Sequence, residues 1–367
     1  MKTIILVAGG TGGHVFPAQS VGAALKERGD EVIYITDQRG SHFFDDSDKK
    51  YVLYMKRYSN PGLGNKMRFI YTMLQETYQS YHLLCTLKPD IVVGFGSYVT
   101  IPPLLAARLL GIPTIIHEQN AILGRANRYL MRIVKRVACS FEKTKVPASS
   151  KVIWTGNPSR NVFIKSKAYQ SLPKSNFNLT VIGGSQGSRI FSQIVPRAVM
   201  HLPEDVQAKL IVHQHVRPED YEHVKKIYSE FKGTVILKDF FHDLASLYNQ
   251  SHLVIARAGA STISELCLMG RPVIFVPYGA SLEGDQLYNA TYLADRHACI
   301  LMREYDFTMR NLTNVLNKLI SDPEILIQLA KHIKALAVPN ATERLIHILD
   351  QEMNYAIEDK KTRKQKK

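Results

Sequence analysis

The stretch "LVAGGTGGHVFPA" (residues 6–18) decides how this chain is read. It ends the apolar run "TIILV" and leads into a helical pattern. Glycine is costly inside regular structure, so glycines at 9, 10, 12 and 13 imply that something must come close to the backbone. A helix N-terminus carries roughly half a positive charge, and its first N–H groups lack partners. Glycines let an anion reach those groups. The loop is therefore shaped for a phosphate or, more simply, for a tight strand-to-helix turn. It is not a Walker A loop, because His14 and Val15 follow Gly13 where Lys and Ser or Thr are needed. It also fails the dinucleotide fingerprint, whose last glycine would fall on Val15. Asp37 ends the second predicted strand, where a ribose-binding acid of a dehydrogenase would sit.

The same device returns. "TVIGGSQGSR" (180–189) is again an apolar strand, a glycine loop and a helix start. Short apolar runs alternating with helical patterns read as parallel α/β. Strands are expected at 3–8, 31–36, 91–94, 114–117, 136–139 and 152–154, with helices such as 17–28 and 100–110 between them. The polar stretch 166–177 reads as a linker. Further strands follow at 209–213, 235–237, 253–256, 273–276 and 299–301. The expected fold is two Rossmann-like domains with parallel sheets facing a deep cleft, because ligands of open α/β sheets bind beyond the carboxyl ends of the strands. The predicted domains are 1–160, 161–338, and a C-terminal helix at 339–367 that packs back on the first domain and ends in a basic tail.

Composition narrows the class. Apolar residues make up 45% of the 367, enough for sizeable cores. Cys85, Cys139, Cys267 and Cys299 are scattered, which fits neither a zinc site nor a disulfide framework and suits a reducing compartment. No run approaches the ~18 apolar residues of a membrane span. The net charge of +15 favours anionic partners. No nucleic-acid-binding motif is present, so none is expected as a partner.

Two further loops complete the pattern. "GFGSY" (94–98) ends a strand. "ARAGASTISEL" (256–266) ends a strand and opens a helix, and Thr262-x-x-Glu265 matches a capping box as well as it matches a ribose-binding carboxylate. "GGTGGHVFPA", "HEQNA", "GNPSR", "GGSQGSR", "RAGASTISE" and "DQLYNA" occur in the order and spacing of one family. The chain resembles the MurG family of peptidoglycan N-acetylglucosaminyltransferases over nearly its whole length. That family has the GT-B fold.

The resemblance implies an inverting transfer of N-acetylglucosamine from UDP-N-acetylglucosamine to the C4 hydroxyl of the muramoyl sugar of lipid I, giving lipid II and UDP. It implies that Arg257, Ala260, Ser261, Thr262, Ile263, Ser264 and Glu265 hold the diphosphate and ribose, with Glu265 on the ribose hydroxyls. The backbone of Phe241 would read the uracil edge. Ser185 and Arg160 would meet the nucleotide and Gln286 the sugar hydroxyls. Thr11, Gly12, Gly13 and Asn120 would approach the donor from the first domain, while Gly10, Gly94, Gly96 and Tyr98 would face the acceptor diphosphate.

Inversion needs a base for the acceptor hydroxyl and a stabiliser for the departing diphosphate. His14 is the candidate base, because histidine titrates near neutral pH and this one sits at a phosphate loop. Glu118 is the rival, and His117 is expected to pack beneath the site. No cofactor or metal is expected: the only Asp-x-Asp triplet, Asp46 to Asp48, reads as a solvated loop. The lipid-linked acceptor implies a peripheral protein on the cytoplasmic face of the bacterial inner membrane. Lys66, Arg68, Phe69, Ile70 and Met73 of "GNKMRFIYTMLQ" are candidates to meet an anionic bilayer, although an ordinary core helix with basic ends has the same pattern. The chain departs from the family at Ser97, which replaces a glycine, and at Asp285. Two other readings stay open: a UDP-N-acetylglucosamine 2-epimerase of the same architecture, and a non-catalytic lipid-carrier binding protein.

Overall fold

The computed structural model describes residues 1–55, 63–169, 176–184, 187–281 and 283–365. The chain divides into two compact units, Met1–Arg160 with Asn340–Lys367, and Asn161–Pro339. The polar stretch 166–177 is not the linker it was expected to be. The division falls before it, at Arg160, and Tyr169 is tied into the second unit, donating to the His252 carbonyl at 3.0 Å and stacking on Arg271. Residues 170–175 of that stretch lie outside the described residues.

The first unit is built on seven parallel strands: β1 (Thr3–Val7), β2 (Glu31–Asp37), β3 (Lys50–Leu53), β4 (Ile91–Gly94), β5 (Thr114–Glu118), β6 (Arg136–Cys139) and β7 (Val152–Trp154). Their order is β3-β2-β1-β4-β5-β6-β7. The central strands are apolar on both faces because helices cover both. Successive residues of a strand point to opposite sides. Ile4 and Leu6 accordingly join one core, with Val15, Ala18, Val21 and Leu25 of the helix Gly12–Glu27. Ile5 and Val7 join the other, with Leu84 of the helix Leu63–Leu87 and Leu104 of the helix Ile101–Leu109.

The second unit repeats the plan with six parallel strands: β8 (Phe177–Ile182), β9 (Leu210–His215), β10 (Thr234–Lys238), β11 (Leu253–Ala256), β12 (Val273–Phe275) and β13 (Ile300–Leu301). The order β10-β9-β8-β11-β12-β13 is the order of the first sheet without its last strand. In each sheet the chain reverses direction across the sheet between two neighbouring strands, β1 and β4 in one, β8 and β11 in the other. Ligands of open α/β sheets gather at such switch points, and all four glycine loops singled out in the sequence lie there.

Two elements differ from expectation. The first helix starts at Gly12, five residues before Pro17, so Gly12 and Gly13 form its first turn. β3 was missed because it is a short edge strand whose Lys50 and Tyr51 carry no apolar alternation. The C-terminal helix Ala341–Gln365 belongs to the first unit: Leu345, Ile348, Leu349 and Met353 enter the core beneath Gly12–Glu27. Arg28 reaches Asp350 at 2.7 Å and Arg136 reaches Glu352 at 2.7 Å. Leu349 is fully buried. Leu349→Ala should cost the first unit about 2–5 kcal/mol, read from urea unfolding curves; a loss below ~1 kcal/mol would mean that this helix is not part of the core.

Candidate functional site

In the first unit the loop after β1 is held from below by a buried carboxylate. Asp37 Oδ1 accepts from the Gly10 amide at 2.8 Å and from the Gly40 amide at 2.9 Å, and Oδ2 pairs with Arg39 at 2.9 Å. Burial alone would raise the Asp37 pKa, but these donors hold it below the ordinary carboxylate value. Asp37 is therefore a brace for the glycine loop, with its oxygens already committed, and the ribose-binding role of a dehydrogenase is set aside. In the triplet after β2, Asp48 pairs with Lys26 at 2.5 Å, while Asp46 is fully exposed and 3.7 Å from Lys50.

Thr11 is the N-cap of the helix Gly12–Glu27, and its side chain makes no capping bond. His14 follows in the first turn, its imidazole half-buried. The ring lies against the loop after β4. A Cβ on Gly96 would come within 2.9 Å of His14 Cε1 and 3.0 Å of Nδ1, and Gly96 has φ +95°, so only glycine admits the imidazole here. The next residue, Ser97, keeps a glycine-like backbone at φ 66°, ψ 158°. Serine in that region costs of order 1–3 kcal/mol. Gly94 packs against Leu104 and Thr100, and Tyr98 is 44% exposed at the loop's end.

His14 Nδ1 lies 3.0 Å from Gln119 Oε1. Gln119 Nε2 lies 3.0 Å from His117 Nδ1, and His117 Nε2 lies 3.0 Å from the Gly156 carbonyl. His117 is fully buried beneath the site, and burial pulls its pKa down to about 4. Glu118, on the opposite side of β5, receives four N–H donors. Asn120 N and Nδ2 reach Oε1 at 3.0 and 3.2 Å, and Gly124 N and Asn127 Nδ2 reach Oε2 at 2.9 Å each. Burial pushes its pKa up against those donors and the nearby His14. With both oxygens filled and 2% exposure, Glu118 is a loop-organising group, and its candidacy as base is corrected. It also orients Asn120. Arg160 stacks over Phe16, 5.2 Å from the ring centre.

In the second unit the loop after β8 is built for close approach. A Cβ on Gly183 would lie 2.4 Å from the Ser188 amide nitrogen. Ser185 lies outside the described residues. After β11 the chain passes Arg257 and Ala258 and enters the helix Ala260–Met269, capped by Gly259, which has no side chain to accept from the first turn. Thr262 is thus the third helical residue and not the cap, and the capping-box reading of Thr262 and Glu265 is overturned. Ala260, Ser261, Thr262, Ile263 and Ser264 make up the helix head, and Glu265 follows on the next turn with 8% exposure.

Arg257 is bound by its own unit. Its guanidinium meets Glu304 at 2.7 Å and the Val276 carbonyl at 3.0 Å, between the rings of Phe191 and Tyr278. Gln286 Oε1 accepts from the Tyr278 amide at 2.9 Å, and Asn289 Nδ2 holds the Ala258 carbonyl at 3.1 Å. Phe241, just beyond β10, is half-buried near His213. Among the described residues no group of three or more His, Cys, Asp or Glu side chains is placed to hold a metal ion.

Sequence reasoning passed over Gln119, Asn127, Asn289 and Glu304. For Gln119 a signal existed: at i and i+2 along a strand, His117 and Gln119 share one side while Glu118 takes the other. Asn289 and Glu304 gave no signal because their partners, Ala258 and Arg257, are 31 or more residues away, and Asn127 because its contact depends on the turn between β5 and the next helix.

Two units of one α/β plan, each with glycine loops at its switch point, match the two domains of a glycosyltransferase family. Residues 4–139 match the glycosyltransferase family 28 N-terminal domain and residues 178–345 the family 28 C-terminal domain. Relatives named UDP-N-acetylglucosamine–N-acetylmuramyl-(pentapeptide) pyrophosphoryl-undecaprenol N-acetylglucosamine transferase are 36% identical in Phenylobacterium zucineum and 38% in Rhodospirillum rubrum. They align over 95% and 94% of this chain and 98% and 91% of their own lengths. A crystal structure of Acinetobacter baumannii MurG superposes with a TM-score of 0.80 at 28% identity, covering 96% of this chain and all of that one. The chain belongs to the MurG family. A UDP-GlcNAc 2-epimerase from Neisseria meningitidis bound to UDP-GlcNAc shares the fold alone, with a TM-score of 0.65 at 15% identity over 95% of this chain and all of that one.

His117 generates a pH dependence. Its pKa is 6.5 when exposed and about 4 in the fold, so the unfolded chain binds the extra proton between those values. Stability from this group is complete above pH 6.5 and falls as pH drops toward about 4, by on the order of 3 kcal/mol. His213, His215 and His252 of the second unit are lowered in the same sense by burial. Urea midpoints across this window should therefore slope less for His117→Asn than for the parent chain; identical slopes would place a charged His117 in the folded state.

Proposed function

We propose that the chain transfers N-acetylglucosamine from UDP-N-acetylglucosamine to the C4 hydroxyl of the muramoyl sugar of lipid I, with inversion, releasing UDP and lipid II. The names of its relatives over nearly the full length support the substrates. The observation that carries the chemistry is His14, an imidazole at the head of a glycine-entered helix, braced on one nitrogen by Gln119.

In this reading His14 takes the proton of the acceptor hydroxyl as that oxygen attacks the anomeric carbon of the donor sugar. The bond from that carbon to the β-phosphate oxygen breaks on the opposite face, and UDP leaves with the electron pair. The head of the helix Ala260–Met269, open at Gly259, receives the diphosphate. Glu265 accepts from the ribose hydroxyls, and the Phe241 backbone meets the uracil edge. The Gln286 amide nitrogen donates to the sugar. Arg160 meets the departing diphosphate, while Arg257, neutralised by Glu304, acts by shaping the loop. Thr11, Gly12, Gly13 and Asn120 serve the donor from the first unit, and Gly10, Gly94, Gly96 and Tyr98 form the acceptor side. Ser185 is proposed on the resemblance alone. No resident cofactor enters this scheme, and a chelator arm in the assay tests that.

The acceptor is lipid-linked, and we place the protein peripherally on the cytoplasmic face of the inner membrane. Among the described residues no helix is long and apolar enough to cross a membrane. On the helix Leu63–Leu87, Met67, Ile70, Tyr71, Leu74 and Tyr78 are 51–69% exposed along one stripe, with Arg68 exposed beside them. Phe69 and Met73, offered from the sequence, are only half-buried members of the inward side, and Phe69 meets Tyr98 edge-on at 5.9 Å. The Lys66 side chain lies outside the described ones. The stripe suits shallow insertion among anionic headgroups.

His14→Ala should lower kcat by roughly 10²–10⁴ with UDP affinity unchanged, and Glu265→Ala should weaken UDP binding with a smaller effect on kcat. A transfer assay with a short-chain lipid I analogue and calorimetry with UDP read both. Full turnover in His14→Ala would remove it as the base, and UDP-N-acetylmannosamine formed from the donor alone would favour the epimerase. Leu74→Asp should reduce sedimentation with anionic vesicles about tenfold, since a buried leucine is worth ~1.5–3 kcal/mol; unchanged binding would move the membrane face elsewhere.

A further inference from the structure

We propose that Gln119 is a positioning residue that fixes the tautomer of His14, so that the proton-accepting nitrogen is Nε2. This rests on the reading of His14 as the base and names what sets its orientation.

The assignment is forced from the buried end of the chain of hydrogen bonds. The Gly156 carbonyl can only accept, so the His117 Nε2 that meets it at 3.0 Å carries a hydrogen. His117 is fully buried and neutral near physiological pH, its pKa held at about 4 by burial, so its Nδ1 is bare. A bare nitrogen needs a donor, and the atom 3.0 Å away is the Gln119 amide nitrogen. That same nitrogen lies 3.3 Å from the His117 carbonyl, a second acceptor that independently fixes which end of the amide faces inward. The Gln119 oxygen must then face His14, and an amide oxygen only accepts. The His14 Nδ1 at 3.0 Å is therefore the protonated nitrogen.

In neutral imidazole one nitrogen donates and the other accepts. With the proton on Nδ1, the lone pair is on Nε2, at the far side of the ring from Gln119. The Nδ1–Cε1 edge occupies the space that a Cβ at position 96 would fill, so the ring sits where it does only because residue 96 is glycine. Without Gln119, free histidine chemistry favours the other tautomer, with the hydrogen on Nε2 and no base where it is needed. A wrong-tautomer imidazole loses turnover and not substrate affinity. Gln119 is 1% exposed, so water does not substitute for it.

Long-range proton–nitrogen spectra of the full chain labelled with [¹⁵N]histidine, at about pH 8 where imidazole is neutral, test this directly. His14 is assigned by difference against His14→Ala. In the parent chain His14 should show a protonated Nδ1 and a bare Nε2, and His117 the reverse. Gln119→Leu should shift His14 toward the Nε2–H form and lower kcat at least tenfold, with KM for UDP-N-acetylglucosamine unchanged. Gln119→Glu keeps an acceptor for His14 Nδ1–H, and in this buried position its inner oxygen can carry a proton to donate to His117 Nδ1; it should keep the parent tautomer and turn over faster than Gln119→Leu. If Gln119→Leu does not fold, the parent spectrum and Gln119→Glu still decide. A parent His14 protonated on Nε2, or a Gln119→Leu chain with parent tautomer and turnover, overturns the proposal. Full activity in His14→Ala would instead overturn the base reading, whichever tautomer the spectra report.

Discussion

A parallel strand that passes through a short glycine loop into a helix leaves N–H groups aimed past the edge of the sheet, and this constraint organises both units. The first turns of Gly12–Glu27 and Ala260–Met269 have no side-chain cap. Each follows a central strand next to a switch point, buried throughout except at Thr3. An uncapped helix start would ordinarily forfeit about 1 kcal/mol. A protein that binds a diphosphate leaves that position for the ligand, because the same donors and the helix dipole then act on the anion.

The buried polar side chains around these loops are arranged to hold backbone, not to react. Asp37 ties Gly10 to Gly40, Glu118 ties Asn120 to Gly124, and Asn289 ties Ala258 to the helix Asp285–Ala294. A buried carboxylate without partners would be several kcal/mol unfavourable, whereas one that gathers N–H donors fixes a loop that has no regular structure of its own. The same logic separates the arginines. Arg257 is neutralised by Glu304 inside its unit, and Arg160 sits at the exposed end of the first.

Strain is accepted in one of these loops. Ser97 holds a backbone conformation suited to glycine, beside the Gly96 that admits the His14 ring. The core that carries the loop pays for it: β4 is fully buried and flanked by β1 and β5. A rigid parallel sheet with helices on both faces can impose such a path where an isolated loop would relax.

The sequence alone determined the class. Strand runs such as "TIILV" and "IVVG" are almost wholly apolar because both faces are covered, and the glycine loops recur at the strand ends, so two similar α/β halves and the loops at their edges were legible locally. His14 and the loop glycines stood out as candidates for the same reason, by residue type and position, whereas Glu265 matched a capping box equally well and was singled out only by the family resemblance. Only the tertiary structure decided which carboxylates were spent on backbone, since Glu118 and Asp37 find their partners across turns and neighbouring loops. It also decided that the helix head begins at Ala260, that Met67, Ile70 and Leu74 rather than Phe69 and Met73 face outward, and that Gln119 joins His14 to His117. Hydrophobic periodicity reports how much of a residue is buried. Hydrogen-bond partnership between groups 39 or 105 residues apart is set by how strands are ordered in the sheet, which no local pattern encodes.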